Sequence, residues 1–321
     1  MKVLVTGSAG FIGFHATKAL FEDGHEVLGL DNMNNYYLPQ LKAARVAELE
    51  SQGIAFKKMD LCNLEELDAI FRSFKPDRVL HLAAQAGVRY SLENPHAYIQ
   101  SNIVATMNIL ECCRHHGKPR LAYASSSSVY GGVKELPFSE SQRVDTPISL
   151  YAATKKSNEL MAHTYTHLYE MQTIGLRFFT VYGPWGRPDM AMWLFTDAIM
   201  KGEPIKVFNH GDMFRDFTFI TDIVAGIKGS LFAENLDQYE VFNLGNHRCE
   251  RLMTLIETIE KCLGKVSEKI MMPMQDGDVK ATYASIDRAQ ARLGFQPSTA
   301  IEDGVPQFID WFKAHPQFHG K

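Results

Sequence analysis

Cysteine is scarce in this chain, with five among 321 residues. Cys62, Cys112, Cys113, Cys249 and Cys262 form an odd, scattered set that suits no disulfide framework, and a chain this long needs no such staples. Reduced thiols are expected. Long apolar runs are also missing: Met1-Lys2-Val3-Leu4-Val5-Thr6-Gly7 breaks after three apolar residues, too few for the core of a secretory signal, and no stretch approaches a membrane span. The expected location is cytoplasmic, away from membranes. Positive charge is not in excess either, since 33 Lys+Arg against 37 Asp+Glu leave a net charge of -4. No bulk field is available to attract nucleic acid. Metal-ligand spacing is absent except for Cys112-Cys113-Arg114-His115-His116, where basic residues at a helix end before Gly117 suit the dipole without an ion. No metal is expected.

What remains is an ordinary globular composition, 45% hydrophobic and 22% charged, in a chain long enough for about two domains. Short β-rich runs at residues 2–5, 27–30, 78–82 and 120–124 alternate with helical patterns after Gly10 and over 64–74 and 95–116. Such alternation predicts an α/β fold, a doubly wound, Rossmann-like parallel sheet covered on both faces. It persists to about Phe179. Residues 1–179 are expected to form one domain, and 180–321 a smaller α/β C-terminal lobe from which the chain crosses back in part.

Gly7-Ser8-Ala9-Gly10-Phe11-Ile12-Gly13 follows the first strand and opens the first helix, where free N–H groups and the helix dipole favour a pyrophosphate. Glycines there allow close approach. Asp31 ends the second strand, placed to accept hydrogen bonds from a ribose diol and to repel a 2′-phosphate, while the adjoining Asn32-Met33-Asn34-Asn35 brings no cation. NAD is therefore favoured over NADP. Asp60-Leu61 either lies near an adenine edge or caps the helix beginning at Leu64.

Tyr151 and Lys155 stand at i and i+4, on one face of a predicted helix. A phenol with a pKa near 10 is a poor base, but positive charge from Lys155 and an oxidised nicotinamide would favour the phenolate. Tyr130 and Lys134 repeat the spacing, but Gly131-Gly132 between them disfavours a helix. Ser126, in Ser125-Ser126-Ser127-Ser128-Val129-Tyr130-Gly131, falls at the carboxyl end of a strand and can share the proton, unless the segment is only a solvated serine loop.

With Thr6-Gly7-x-x-Gly10-x-x-Gly13, Asp31, Asp60-Leu61, His81-Leu82-Ala83-Ala84, the serine segment, Tyr151-x-x-x-Lys155, Arg215-Asp216-Phe217 and Asp222, the chain resembles the extended short-chain dehydrogenase/reductases, and within them the nucleotide-sugar 4-epimerases. The resemblance covers nearly the whole chain. It implies bound NAD held by Gly7, Gly10, Phe11, Ile12, Gly13, Asp31, Asn32, Asp60, Leu61, Leu82, Ala83, Ala84, Tyr151 and Lys155, a UDP-sugar in the C-terminal lobe, and catalysis by Tyr151, Lys155 and Ser126. It also implies a homodimer formed through helices at 95–116 and 151–170; Ile99, Ile103, Leu110 and Cys113 make one apolar stripe, which is equally the pattern of intramolecular core.

The segments Ala84-Gln85-Ala86-Gly87-Val88-Arg89-Tyr90-Ser91 and Arg177 to Ala191 look like those of UDP-glucuronate 4-epimerases. Ser127, Ser128 and Thr180 then become candidate contacts of the sugar carboxylate, Arg215 matches a diphosphate ligand, and Asp278 matches a uridine-ribose contact or is simply part of a polar loop. Arg187 and Arg89 are further carboxylate candidates or structural residues, and Phe208 either covers the uracil or packs as core. The all-serine segment lacks the acidic residue that related decarboxylases and dehydratases place beside the catalytic hydroxyl. A neutral UDP-hexose epimerase, a UDP-glucuronate decarboxylase and a non-catalytic NAD-binding scaffold are the alternatives.

Overall fold

Val3, Leu4 and Val5 are all fully buried, as they must be when helices cover both faces of a parallel sheet. The computed structural model describes residues 1–274 and 279–320. Its main sheet comprises β1 (Lys2–Thr6), β2 (Glu26–Asp31), β3 (Ala55–Lys58), β4 (Arg78–His81), β5 (Arg120–Ser126), β6 (Thr173–Phe178) and β7 (Tyr239–Leu244). Their order is β7-β6-β5-β4-β1-β2-β3, and every pairing is parallel. The strand order reverses beside β1, opening a crevice at the carboxyl ends of β1 and β4, where such sheets bind ligands. β7 comes from well beyond residue 179, so the later part of the chain contributes the edge of the sheet as well as shorter elements.

The connecting helices include α1 (Phe11–Glu22), α2 (Pro39–Ser51), α3 (Leu64–Phe74), α4 (Ala105–His115) and α5 (Leu150–Tyr169). The helix expected over 95–116 is interrupted: Pro95–Tyr98 is α-helical, Ile99–Val104 is π-helical, and α4 follows. The wider turn is anchored by Asn102, which accepts from Gln85 N at 2.8 Å and donates to Gln85 O at 3.1 Å and Thr154 Oγ1 at 3.0 Å. Side-chain pairing of this kind compensates the lost helical register. Of the apolar stripe, Leu110 and Cys113 are fully buried within the chain's own core, whereas Ile99 is exposed.

Beyond residue 180 the short strands Thr180–Tyr182 and Phe217–Phe219 pair in parallel, Phe214–Arg215 pairs with Glu250–Arg251, and Ile205–Val207 pairs with Lys269–Met271. These pairs and the helices Ala191–Lys201, Leu252–Leu263 and Ile301–Ala314 enclose an aromatic core of Trp193, Phe308 and Phe312. No helix among the described residues is long and apolar enough to cross a membrane.

Candidate active site

The glycine turn is built by packing that tolerates no side chain. Gly7 has φ +73°, and a Cβ there would stand 2.7 Å from Ala83 N; at Gly13 it would stand 2.0 Å from Gly7 O. Strand β1, the turn and α1 are thereby drawn against the end of β4. The first-turn N–H groups of α1 have no intrahelical acceptors, and Gly10 caps the helix without a side chain. These donors line a cavity. Asp31 is oriented beside it, accepting from Ala9 N at 3.2 Å and Met33 N at 2.8 Å.

All the expected cofactor residues, from Gly7 to Lys155, line this one cavity. Donor turn, fixed carboxylate, the apolar walls Leu61 and Leu82, and a lysine at the far end together fit a dinucleotide. Asp60 does not cap α3; Asn63 does, accepting from Glu66 N, while Asp60 turns to Cys62 N at 2.8 Å and Asn32 Nδ2 at 3.2 Å.

A second cavity of about 900 Å³ adjoins the first, a volume suited to a nucleotide sugar. Arg89, Ser126, Ser127, Ser128, Tyr151, Thr180, Arg187, Phe208 and Arg215 line it. Asp278 lies outside the described residues. Ser126, Tyr151, Phe179 and Arg187 line both cavities and so form their common wall. The two arginines proposed for the carboxylate part company here: Arg187 stands at this junction, whereas Arg89 lies over the Phe208 ring at 5.4 Å.

α5 positions the chemistry. Ser149 caps it by accepting from Ala152 N at 3.1 Å, which fixes the first turn where Tyr151 sits. Burial raises the Tyr151 pKa above its usual value, opposed by a hydrogen bond with Ser126 and the charge of Arg187. This differs from the expectation of Lys155 as the neighbouring cation: Lys155 donates to Ala124 O at 2.8 Å, and burial lowers its own pKa to about 7. Ser126 Oγ accepts from Ser128 N at 3.1 Å, holding the hydroxyl in place.

The family model described as GDP-mannose 4,6 dehydratase matches residues 4–308. The chain belongs to this family, one of extended short-chain dehydrogenase/reductases. It is 51% identical to Protein CapI of Staphylococcus aureus, covering 97% of this chain and 98% of that protein. It is 46% identical to the probable UDP-glucuronate 4-epimerase of Rhizobium meliloti, covering 97% of each. The crystal structure of UDP-glucuronic acid 4-epimerase from Bacillus cereus, in complex with UDP-glucuronic acid and NAD, superposes with a TM-score of 0.91 at 34% identity, covering 98% of this chain and 99% of that one.

In this member of the dehydratase family several polar residues of the site escaped sequence reasoning. Asp189 pairs Arg187 through both carboxylate oxygens, and Tyr36 OH donates to the same carboxylate at 3.1 Å. Glu159, one turn beyond Lys155, receives two bonds from the buried Arg177 at 2.8 and 2.9 Å and one from Ser125 Oγ at 2.7 Å. That ion pair fastens α5 to the strand ends carrying the serine segment. Glu159 continues the Tyr151, Lys155 spacing by four, and this was the available signal. Lys42 of α2 brings a cation to the first cavity, where it donates to Asn34 Oδ1 at 2.7 Å.

Proposed function

We propose that this protein interconverts UDP-glucuronate and UDP-galacturonate by NAD-dependent epimerisation at C4, through a transient 4-keto sugar. The observation that carries the reading is the common wall, because one half-buried phenol there touches both the dinucleotide cavity and the sugar cavity. Residues 1–179 supply most of the NAD site, and the lobe from 180 closes the UDP-sugar site together with the serine segment and Tyr151. Bound NAD supplies the acceptor and then the donor of the C4 hydride, and in its oxidised form a positive charge near the phenol.

Tyr151 takes the proton of the C4 hydroxyl as C4 loses hydride, and returns it when hydride is restored to the opposite face. Ser126 shares that proton, and Lys155 orients the nicotinamide ribose. Net redox change is zero. Arg215 binds the diphosphate, Phe208 and Asp278 bind the uridine, and Ser127, Ser128, Thr180 and Arg187 hold the sugar carboxylate. Arg89 buttresses Phe208. A 4-keto uronic acid is a β-keto acid and loses carbon dioxide readily, so a firmly held carboxylate and an all-serine segment free of local acid favour return of the hydride.

The protein acts as a homodimer in the cytoplasm, in keeping with five free cysteines and exposed Ile99, Met107, Leu160 and Leu168 on the helices proposed to pair. Purified protein given UDP-glucuronate should form the galacto epimer without added reductant and retain deuterium placed at C4. Formation of only UDP-xylose or a 4-keto pentose would move it to the decarboxylase class, and preference for UDP-glucose in competition would make it an epimerase of neutral sugars.

A further inference from the structure

The loop 182–187 carries Arg187 to the junction of the cavities on an unusual backbone. Trp185 has φ +61°, a left-handed conformation that a bulky residue adopts only when its surroundings enforce it. Three groups from the cofactor side supply that enforcement. Arg45, fully buried on α2, donates through Nη2 to Trp185 O and to Gly186 O, at 2.5 and 3.1 Å, and through Nη1 to Ala9 O at 2.9 Å and Tyr37 OH at 2.8 Å. His15 of α1 bonds Pro184 O through Nε2 at 2.9 Å, and the Phe14 and Trp185 rings lie 5.3 Å apart.

Among the described residues no carboxylate lies within ion-pair distance of Arg45, and its Nε has no hydrogen-bond partner. A guanidinium buried without a counter-ion is expensive. Its planar fork nevertheless spans two peptide carbonyls of one loop and one of the glycine turn, a span that lysine's single ammonium cannot cover. The carbonyl it holds in the turn belongs to Ala9, next to Gly10, and the carbonyls it holds in the loop immediately precede Arg187.

We propose that Arg45 is a positioning residue for substrate selection: it clamps the dinucleotide turn to the Trp185-Gly186 peptide and thereby holds Arg187 against the sugar carboxylate. His15 is the second tie of the same clamp. The inference rests on the proposed contact between Arg187 and the carboxylate. It assigns carboxylate recognition in the sugar cavity to a side chain that lines neither cavity.

The test compares wild type, Arg45→Lys, Arg187→Gln and the double variant, with KM and kcat for UDP-glucuronate and calorimetric affinity for UDP, which lacks the carboxylate. Arg45→Lys keeps the charge but gives up ties, so KM should rise about tenfold, the effect of losing one charge-assisted bond. Affinity for UDP should stay within about twofold and kcat within about threefold. On the Arg187→Gln background the lysine substitution should add nothing further to KM, since both changes break one connection.

A KM unchanged by Arg45→Lys, equal weakening of UDP, or additive effects in the double variant would overturn the clamp. If Arg187→Gln alone leaves KM unchanged, the carboxylate contact itself fails, and the clamp as stated fails with it; only that outcome touches both. His15→Leu tests the same loop from its other tie. It should raise KM for UDP-glucuronate in the same direction by a smaller factor, and an unchanged KM in a variant of native circular dichroism counts against the proposal.

Discussion

Tyr151 and Lys155 share a wall of the dinucleotide cavity, and desolvation works against the charged form of each: it raises the phenol and lowers the ammonium to about 7. Removing the phenolic oxygen should separate chemistry from binding. Tyr151→Phe is expected to lower kcat by at least about 10²-fold, the usual scale of a general base, while NAD content and UDP affinity stay near wild type. For Lys155 the folded pKa lies below the unfolded value of 10.5, so the unfolded chain binds the extra proton between about pH 7 and 10.5. Stability should therefore rise with pH across that window, and below it the buried cation costs on the order of 5 kcal/mol. Lys155→Met should accordingly be inactive, yet in cofactor-free protein its urea stability relative to wild type should be most favourable at or below pH 7 and decline toward pH 10. A difference independent of pH would refute that account. The pair itself was legible, because a spacing of four needs only a helix to acquire meaning. Arg45 was not: in Lys42-x-x-Arg45 it reads as part of a solvated face, and only the tertiary approach of the 182–187 loop reveals two carbonyls waiting for its fork. Asp189 was hidden similarly, since the geometry that lets it grip Arg187 two residues away depends on the turn.

At the level of elements, the site stands where three helices begin or break. α1 offers its N-terminus, α5 offers one face in steps of four, and the π-helical segment Ile99–Val104 offers Asn102 as a hub between β4's loop and α5. Asn158 Nδ2 donates to Asn102 O at 2.7 Å, closing the connection. Replacing Asn102 by alanine leaves Gln85 N and Gln85 O without partners in a buried place, at about 1–3 kcal/mol for each group. Asn102→Ala should therefore lower urea stability by a few kcal/mol and reduce kcat more than it weakens UDP binding, because α5 carries the phenol but not the proposed uridine contacts. Equal losses in kcat and UDP affinity would assign Asn102 to general folding alone. The parallel sheet and four of its seven strands could be read from apolar runs bounded by turns, since a strand buried on both faces has few alternatives, whereas the strand order and the edge strand β7, supplied from beyond residue 179, could not. The π segment could not, because 95–116 carries an unbroken helical pattern and the extra residue per turn is selected by Gln85 and Thr154, which are distant in sequence.

For the whole molecule, the cost of holding neutral histidines inside it contributes to the response to acid. His81 lies fully buried between Thr6 Oγ1 at 2.7 Å and Thr106 Oγ1 at 3.1 Å, and burial lowers its pKa to about 3. His15, in the clamp beside Trp185, is lowered to about 4, again first by burial. In the unfolded chain both return to 6.5, so between about pH 6.5 and 4 it binds two protons more than the native chain at these sites, and stability falls as pH falls. Asp216 opposes this. Burial raises it to about 6 against a usual 3.8, so between those values the native chain holds a proton that the unfolded chain has released, and its contribution grows as pH falls. Together these three groups leave about one proton, or ~1.4 kcal/mol per pH unit, over the range from roughly 6 to 4, and the lowered carboxylates Glu159 and Asp189 act in the same direction at its acid end. Urea stability of cofactor-free protein should therefore decline steadily from pH 6.5 to 4. His15→Leu removes one of the two histidine protons and should make that decline shallower by about one proton's worth, ~1.4 kcal/mol per pH unit, whatever it does to stability at pH 7. An unaltered slope in this variant would show that His15 already carries a proton in the folded state and that its tie to Pro184 is not made by a neutral ring.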